Sequence, residues 1–207
     1  QYSLGIIFSK GELIARNVEK AIYYLTLAAD QKFLLAQYYL GIIYIKNVLV
    51  KRDIYKSIHY FSLAADQNDS DSQYNLGVIY LKNEFIQRNI NKAIKYFALA
   101  ANQNHPYAQY NLGMIYENGI SIQCDMKKAI HYYKLAANQN DPDAQFHLGL
   151  IYENGKSIKK DINSAIYYYS LAANQNYAYA QFNLGLIYFK GKLKDIDKAI
   201  YYFQLAA

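Results

Sequence analysis

The sequence predicts an all-α solenoid built from six helix-turn-helix repeats, and three observations support this prediction. A Leu-Gly-x-Ile motif followed by Tyr or Phe recurs every 36 residues, which is typical of repeat arrays whose units bury their apolar faces against each other. The apolar residues around the motif follow the period of an α-helix, and capping residues stand where each helix should begin or end. The six copies of the motif glycine are Gly5, Gly41, Gly77, Gly113, Gly149 and Gly185.

The motif lies in the first predicted helix of each repeat, which we call helix A. In the fourth repeat the apolar residues of this helix are spaced by four, three and one positions, as one face of a helix requires. They are Ala108, Leu112, Ile115 and Tyr116. Pro106 and Pro142 suit the first helical position of two A helices, and Asp141 is placed to cap the second of these.

Helix A is followed by a loop and a second helix, which we call helix B. Six residues after each motif glycine stands a Gly or Asn, the residue types that end a helix in the left-handed conformation. These residues are Gly11, Asn47, Asn83, Gly119, Gly155 and Gly191. Each loop ends on an Asn or Asp whose side chain can accept the free amide groups of helix B. These caps are Asn17, Asp53, Asn89, Asp125, Asp161 and Asp195, and helix B is predicted to close at Asn68, Asn104, Asn140 and Asn176.

Recurring residues also predict how the two helices pack. The motif glycine costs about 1 kcal/mol relative to alanine, so its six copies predict a close approach of helix B through small residues such as Ala129, Ala136 and Ala137. Helix B carries a pair of aromatic residues, which we expect to fill the space between repeats, with any buried phenol bonded to a recurrent glutamine. The pairs are Tyr23-Tyr24, Tyr60-Phe61, Tyr96-Phe97, Tyr132-Tyr133, Tyr168-Tyr169 and Tyr202-Phe203. The glutamines are Gln37, Gln73, Gln109, Gln145 and Gln181.

The predicted domain is a single array over residues 1–207. Its six repeats fall at approximately 1–34, 35–70, 71–106, 107–142, 143–178 and 179–207. Because the chain starts at Gln1 partway through a repeat and stops as a helix ends, we expect a fragment of a longer array. No apolar run approaches the ~20 residues needed to span a bilayer, so we expect a soluble region without a transmembrane segment.

The composition favours an interaction module over an enzyme or a nucleic-acid-binding protein. The formal net charge is +6, but lysine supplies most of the positive charge, whereas phosphate recognition usually uses arginine. Basic clusters such as Lys46, Lys51 and Arg52 fall in the loops and are expected to form a solvated edge. The single cysteine, Cys124, has no partner for an intramolecular disulfide, and no catalytic or metal-binding motif accompanies the four histidines. We therefore expect no catalytic residue, no cofactor and no metal.

The repeating unit resembles a known family. The pattern Ala-Gln-Tyr-Asn-Leu-Gly-x-Ile-Tyr-Glu-Asn-Gly, a short loop and Asp-x-x-Lys-Ala-Ile-x-Tyr-Tyr-x-Leu-Ala-Ala resembles the Sel1-like repeat over essentially the whole chain. The resemblance implies an α/α solenoid related to tetratricopeptide arrays, coiled as a right-handed superhelix with helix A on the concave side. It also implies an adaptor role, since family members assemble complexes in endoplasmic-reticulum-associated degradation, signalling, control of cell-wall synthesis and bacterial host interaction. The secreted branch has a cysteine pair in each repeat, so that branch and its penicillin binding are not expected here.

Helix A leaves one face outside the predicted core, where we expect a protein or peptide to bind. This face has an aromatic residue three positions before the glycine, an apolar one just after it and a variable one four positions after it. An apolar face is costly to leave in water; the alternative is that neighbouring A helices bury it. Because variation within a regular array is expected to encode specificity, the variable position is the preferred contact. The predicted contacts are Tyr38, Ile45, Tyr74, Leu81, Tyr110, Met114, Glu117, Phe146, His147, Glu153, Phe182 and Phe189.

The leading hypothesis for function is a non-catalytic scaffold or adaptor that grips a peptide or a protein along the concave face. One alternative is the regulatory or substrate-docking region of a multidomain enzyme such as a protein kinase. A second alternative is a luminal adaptor in endoplasmic-reticulum-associated degradation, which would require a signal peptide. Nucleic acid is not expected as a partner.

Overall fold

The structure is a computed structural model that describes residues 1–10, 17–46, 51–82, 84–119, 122–155, 158–190 and 194–207. Within these ranges it contains twelve α-helices and no strands, which confirms the predicted all-α fold of six helix pairs. The pairs divide between two compact units, residues 1–103 and 104–207, with three pairs in each. The right-handed coil that the resemblance implies stays a prediction.

Each helix packs against the next one along the chain within its unit. The first unit contains α1 (Tyr2–Lys10), α2 (Val18–Asp30), α3 (Leu34–Lys46), α4 (Ile54–Ala65), α5 (Ser70–Lys82) and α6 (Ile90–Asn102). The second contains α7 (Pro106–Asn118), α8 (Met126–Ala137), α9 (Pro142–Asn154), α10 (Ile162–Ala173), α11 (Ala178–Lys190) and α12 (Ile196–Ala206). Odd numbers are A helices and even numbers are B helices. None of the described helices is both long and apolar enough to cross a membrane.

Side-chain caps begin every helix B as predicted. In each case the side-chain oxygen of an Asn or Asp accepts a hydrogen bond of 2.9–3.2 Å from the backbone N–H three residues later. The six caps are Asn17, Asp53, Asn89, Asp125, Asp161 and Asp195. His105 and Asp141 cap α7 and α9 in the same way, directly before Pro106 and Pro142.

Left-handed residues end the helices at the predicted positions that the structure describes. Gly119 and Gly155 have φ angles of 63° and 64° after helix A. The other four predicted ends, Gly11, Asn47, Asn83 and Gly191, lie outside the described residues. After helix B, φ lies between 61° and 67° at Asn68, Asn104, Asn140 and Asn176. Lys32 takes the same place in the first repeat with φ 62°, which the sequence did not reveal because lysine has no preference for this conformation.

The motif glycine makes room for a large side chain of helix B. A Cβ atom on Gly149 would lie 2.4 Å from Cδ1 of Tyr169, far inside carbon–carbon contact distance. The covering side chains are Leu25, Phe61, Phe97, Tyr133, Tyr169 and Phe203. The predicted close approach of helix B to the glycine is confirmed, and Ser57, the counterpart of Ala129 in the second repeat, donates from Oγ to the Gly41 backbone oxygen at 2.9 Å. Ala129 itself is buried, but the ring of helix B takes the volume that a Cβ on the glycine would fill.

The two adjacent aromatic residues of helix B have different surroundings. The first stacks on a tyrosine of helix A in its own repeat, as Tyr132 does on Tyr116 with ring centroids 5.8 Å apart. The second covers the glycine and joins the core cluster that includes the next helix A, which confirms that it fills the space between repeats. The pair predicted for the first repeat is wrong by one residue. Tyr23 is 60% exposed, while Tyr24 stacks on Phe8 and Leu25 covers the glycine.

A buried glutamine of helix A links the ends of successive helix pairs. Gln145 donates from Nε2 to the backbone oxygen of Ala137 at 3.2 Å, and its Oε1 accepts from Nε2 of Gln175 at 2.9 Å. Gln37 and Gln73 make the same two kinds of bond in the first unit. The prediction that these glutamines bond to buried phenols is wrong, because their side chains donate to backbone carbonyl groups at the end of helix B.

We expect Gly149→Ala to lower the free energy of unfolding by about 1 to 3 kcal/mol, because the added methyl group overlaps the Tyr169 ring in a filled core. Helix propensity alone would raise stability by about 1 kcal/mol. Urea denaturation followed by circular dichroism measures the change. In a Tyr169→Ala background the same substitution should be neutral or stabilising. An equal loss in both backgrounds would contradict the packing explanation.

We expect Gln145→Leu to cost about 1 to 2 kcal/mol, because it removes one of the two hydrogen bonds of the buried Ala137 carbonyl, which keeps only the bond from the Asn140 backbone N–H at 3.0 Å. Gln31→Leu is the matched control: it removes the equivalent glutamine–glutamine bond of the first repeat, to Oε1 of Gln1 at 2.7 Å, where both side chains are exposed and water can replace the bond. Its cost should stay within about 0.5 kcal/mol. Urea denaturation of both variants tests the difference, and equal costs would show that the buried carbonyl is not the cause.

Candidate partner-binding surface

One stripe of helix A lies outside the fully buried core and forms the candidate surface, which we call the helix A face. Its positions are six before, three before, one after and four after the glycine, which the helical period places on one side of the helix. In the second unit it comprises Tyr107, Tyr110, Met114 and Glu117 on α7, Asp143, Phe146, Leu150 and Glu153 on α9, and Tyr179, Phe182, Leu186 and Phe189 on α11. In the first unit it comprises Tyr2, Ile6 and Ser9 on α1, Leu35, Tyr38, Ile42 and Ile45 on α3, and Asp71, Tyr74, Val78 and Leu81 on α5.

The middle of the helix A face is only partly accessible. The predicted contacts that are half-buried there are Tyr38, Tyr74, Tyr110, Met114 and Phe146. Each aromatic ring leans on the ring that covers its own glycine, as Phe146 does on Tyr169 with centroids 5.7 Å apart. Tyr110 also packs against the core cluster that contains Leu148 and Ile151 of the next repeat. Neighbouring helices therefore cover part of this face, as the alternative interpretation expected.

The variable position four residues after the glycine differs in accessibility from repeat to repeat. Phe189 is about half exposed, as is Phe182 at the position three residues before the glycine. Ile45 is half-buried against the core cluster of the first unit. Leu81 is only 8% exposed, so its predicted role as a partner contact is corrected to a core role. A buried side chain offers a partner no surface unless the repeat rearranges.

Glu117 and His147 form a hydrogen-bonded group with two tyrosines in the second unit. The hydroxyl group of Tyr133 donates to Oε2 of Glu117 at 2.6 Å. Nδ1 of His147 lies 3.3 Å from the same oxygen, and Nε2 of His147 lies 3.3 Å from the hydroxyl oxygen of Tyr110. The His147 ring stacks on Tyr133 with centroids 5.1 Å apart. Two predicted contact residues thus hold a buried phenol in place.

The surroundings keep Glu117 ionised and both phenols neutral. Burial by itself would raise the pKa of Glu117, but the hydrogen bonds from His147 and Tyr133 outweigh it and hold this pKa below its usual range. Burial, followed by the hydrogen bond to Glu117, raises the pKa of Tyr133. Burial and the nearby charges of Asp143 and Asp141 raise the pKa of Tyr110 to about 12. The Glu117 carboxylate therefore lies beside two neutral phenol rings at physiological pH.

The next repeat contains a second version of this arrangement. The hydroxyl group of Tyr169 donates to Oε2 of Glu153 at 2.7 Å and accepts from Nδ2 of Asn183 at 3.2 Å. When the helix B residue that covers the glycine is Tyr, the residue four positions after the glycine is Glu. When the covering residue is Phe, the residue at that position is apolar. The apolar pairs are Ile45 with Phe61, Leu81 with Phe97, and Phe189 with Phe203. Much of the variation that was interpreted as partner specificity thus matches the chemistry of the covering ring, and this pairing was visible in the sequence.

The first turn of helix A holds the most exposed part of the face, which the sequence interpretation missed. Tyr107 is 58% exposed and Tyr179 is 70% exposed. Asp143 occupies the same position on α9 and accepts a 2.6 Å hydrogen bond from the hydroxyl group of Tyr177. The residue at this position varies between the copies, as the fourth residue after the glycine does. Sequence variation therefore marked this position as a candidate partner contact as well.

The basic loop of the first unit borders a groove of about 600 Å³. Arg52 forms an ion pair with Glu84 at 3.2 Å, and its guanidinium group lies 4.6 Å from the centroid of the Phe85 ring. Lys56 lies over the ring of Tyr44 in the same groove. The positive charge of Arg52 is therefore already compensated within the chain, which favours the predicted solvated edge.

Comparisons with known proteins agree with this architecture. The family model for the Sel1 repeat matches residues 1–33, 34–69, 70–105, 106–141, 142–177 and 178–207. A Sel1 repeat protein from Oxalobacter formigenes is 30% identical with a TM-score of 0.81, over 99% of this chain and 85% of that one. The protein c5321, a protective antigen of uropathogenic Escherichia coli with an SLR fold, is 24% identical with a TM-score of 0.59, over 99% of this chain and 52% of that one. The immunity protein PA5088 from Pseudomonas aeruginosa is 18% identical with a TM-score of 0.55, over 99% of this chain and 78% of that one. The likeness to c5321 and to PA5088 shows the fold alone. No curated protein matches the chain.

Six helix pairs with this motif define a helical-repeat protein of the α/α solenoid class. The chain belongs to the Sel1 repeat family. Proteins of this family are generally non-catalytic, and their repeats commonly serve as scaffolds for protein interactions. Among the residues that the structure describes, no group of His, Cys, Asp and Glu is arranged to hold a metal ion.

We expect Glu117→Gln to cost about 1 kcal/mol at neutral pH, because a neutral amide accepts the Tyr133 hydrogen bond less strongly than a carboxylate does. The pKa of Glu117 is lower in the folded chain than its ordinary value of 4.5, so this stabilisation is complete above that pH and disappears as the pH falls further. Urea denaturation at neutral and acidic pH should show the two proteins converging in acid. A constant difference across this range would contradict the role of the charge.

Proposed function

We propose that the chain is a non-catalytic scaffold that binds a peptide or a protein partner along the helix A face. The exposure of Tyr107 and Tyr179 in the first turn of α7 and α11 carries this proposal. Tyrosine is enriched in protein interfaces because it buries a large area, has few rotatable bonds and keeps a polar tip. Both rings stand at a position that is free to vary while the repeat is maintained.

The rest of the helix A face supports the same function. Half-exposed apolar side chains such as Met114, Phe146 and Leu150 continue from the first turn toward the end of each helix. Their side chains pack against the buried core, so they lose little conformational freedom when a partner binds. The amide group of Asn183, which donates to Tyr169 through Nδ2, has a carbonyl oxygen that can accept from a partner backbone.

Affinity capture from the native cell with mass spectrometry tests this proposal when it is combined with surface variants. The Tyr107→Ser and Tyr179→Ser double variant should lose the captured partner, because it removes the two most exposed rings of the face. Truncation of central interface aromatics typically weakens binding by about 2 kcal/mol or more, which is roughly thirtyfold in Kd.

Two exposed tyrosines of helix B provide the matched control. The Tyr55→Ser and Tyr167→Ser double variant makes the same chemical change on α4 and α10 and should keep the partner. Circular dichroism should show equal helicity in both variants. If the helix B variant loses the partner and the helix A variant keeps it, binding occurs on the other side of the repeats.

A further inference from the structure

The helix A face of the second unit is acidic in a chain whose formal net charge is +6. On α7 and α9 the acidic residues of this face are Glu117, Asp143 and Glu153, and neither helix contains a lysine or an arginine. The first unit has fewer, because its face carries only Asp71 on α5 and only apolar and aromatic residues on α3. Charge is therefore distributed unevenly along one kind of helix face.

The ends of the A helices show the same contrast. Four of them end on a lysine, a residue type that suits the negative end of the helix dipole. These lysines are Lys10 on α1, Lys46 on α3, Lys82 on α5 and Lys190 on α11. In α7 and α9 the last turn has no basic residue and contains Glu117 or Glu153 instead. Asn118 donates to the backbone oxygen of Met114 at 2.9 Å, but it brings no positive charge.

Both glutamates are held in position and keep one oxygen atom available. The hydrogen bonds that the structure shows for Glu117 and Glu153 engage only Oε2 in each case. The side chain of Glu117 is 25% exposed, and that of Glu153 is partly exposed as well. A cation that approaches these carboxylates therefore meets oriented acceptors and does not have to order two flexible side chains.

The surrounding rings suit a cation as well. The half-exposed rings of Tyr110 and Phe146 lie on the same face as the two glutamates, and aromatic faces attract ammonium and guanidinium groups. The chain uses this contact within its own repeats, where Nζ of Lys128 lies 5.1 Å from the centroid of the Tyr116 ring. The corresponding lysines over Tyr44, Tyr80 and Tyr188 lie at 4.9–5.1 Å.

We propose that the helix A face of the second unit binds a partner segment rich in lysine or arginine, whose cations pair with Glu117 and Glu153. This inference rests on the proposed scaffold function and specifies the chemistry of the partner. The apolar residues Met114 and Leu150 between the first turn and the glutamates accommodate the aliphatic stems of such side chains. A basic segment also supplies positive charge near the last turn of α7, which contains no basic residue.

Fluorescence anisotropy with the full chain and three labelled peptides tests the proposal. In the first peptide arginine alternates with leucine, in the second citrulline replaces arginine as a neutral isostere, and in the third glutamate replaces arginine. We expect the arginine peptide to bind and the other two to bind at least about tenfold more weakly, as the loss of well-placed charge pairs predicts. Binding should weaken as salt is added.

Charge-removing variants locate the site. The Glu117→Gln and Glu153→Gln double variant should weaken binding of the arginine peptide about tenfold and leave the citrulline peptide unaffected. Glu19→Gln, on the exposed start of α2, changes the net charge in the same direction and should leave the affinity within about twofold, as expected for a distant exposed charge under screening. Circular dichroism confirms that all variants keep their helicity.

Three results would overturn the inference: no binding of the arginine peptide, equal binding of the citrulline peptide, or preference for the glutamate peptide. Binding of the citrulline peptide that Tyr107→Ser and Tyr179→Ser abolishes would leave the scaffold function intact and reject only the cationic partner. Failure of the scaffold function appears separately, as a partner captured from the native cell that is insensitive to every helix A variant.

Discussion

Each repeat of this chain depends on the contact between a large side chain of helix B and the glycine of helix A. The ring sits where a Cβ atom would otherwise be, and in the first five repeats this side chain is fully buried. The contact lets the two helices approach closely and also places the ring against the next helix A, so it supports the pair and the stack together. A glycine inside a helix is unfavourable by itself, and this packing offsets the cost.

The same contact connects the core to the helix A face. When the covering ring is phenylalanine, the end of helix A carries an apolar residue, as Leu81 and Phe97 illustrate. When the ring is tyrosine, its buried hydroxyl group needs an acceptor, and Glu117 or Glu153 supplies one. The type of the covering ring thereby determines whether the end of helix A carries a negative charge. The acidic character of α7 and α9 is thus built into the repeat and also available to a partner.

Polar groups of the chain divide into two sets with different roles. Buried glutamines such as Gln145 bond to the end of the preceding helix B through Ala137 and to Gln175 after the following helix B, so they join successive helix pairs. The carboxylates and aromatic rings of the helix A face remain partly accessible, and on α7 and α9 they include no compensating lysine. This separation explains how a strictly repeated structure can still present a distinctive surface: the junction residues repeat, while the first and last turns of helix A differ between copies.

The sequence by itself determined the repeat, the two helices in each unit, the six caps of helix B and the left-handed asparagines. These features follow from local preferences of the backbone and from helical periodicity, so they can be inferred without distant contacts. Lys32 shows the boundary of such inference, because its left-handed conformation is imposed by the register of the repeat and has no local signal.

Only the tertiary structure decided which side chains meet. It assigned a ring to the space beside the glycine, the glutamines to carbonyl groups instead of phenols, and Leu81 to the core instead of the surface. The periodic pattern shows which residues share a helix face, but two helices crossing at an angle select the contacts between faces. The exposed first turn with Tyr107 and Tyr179 became visible for the same reason, since burial depends on neighbouring helices and not on the residue alone.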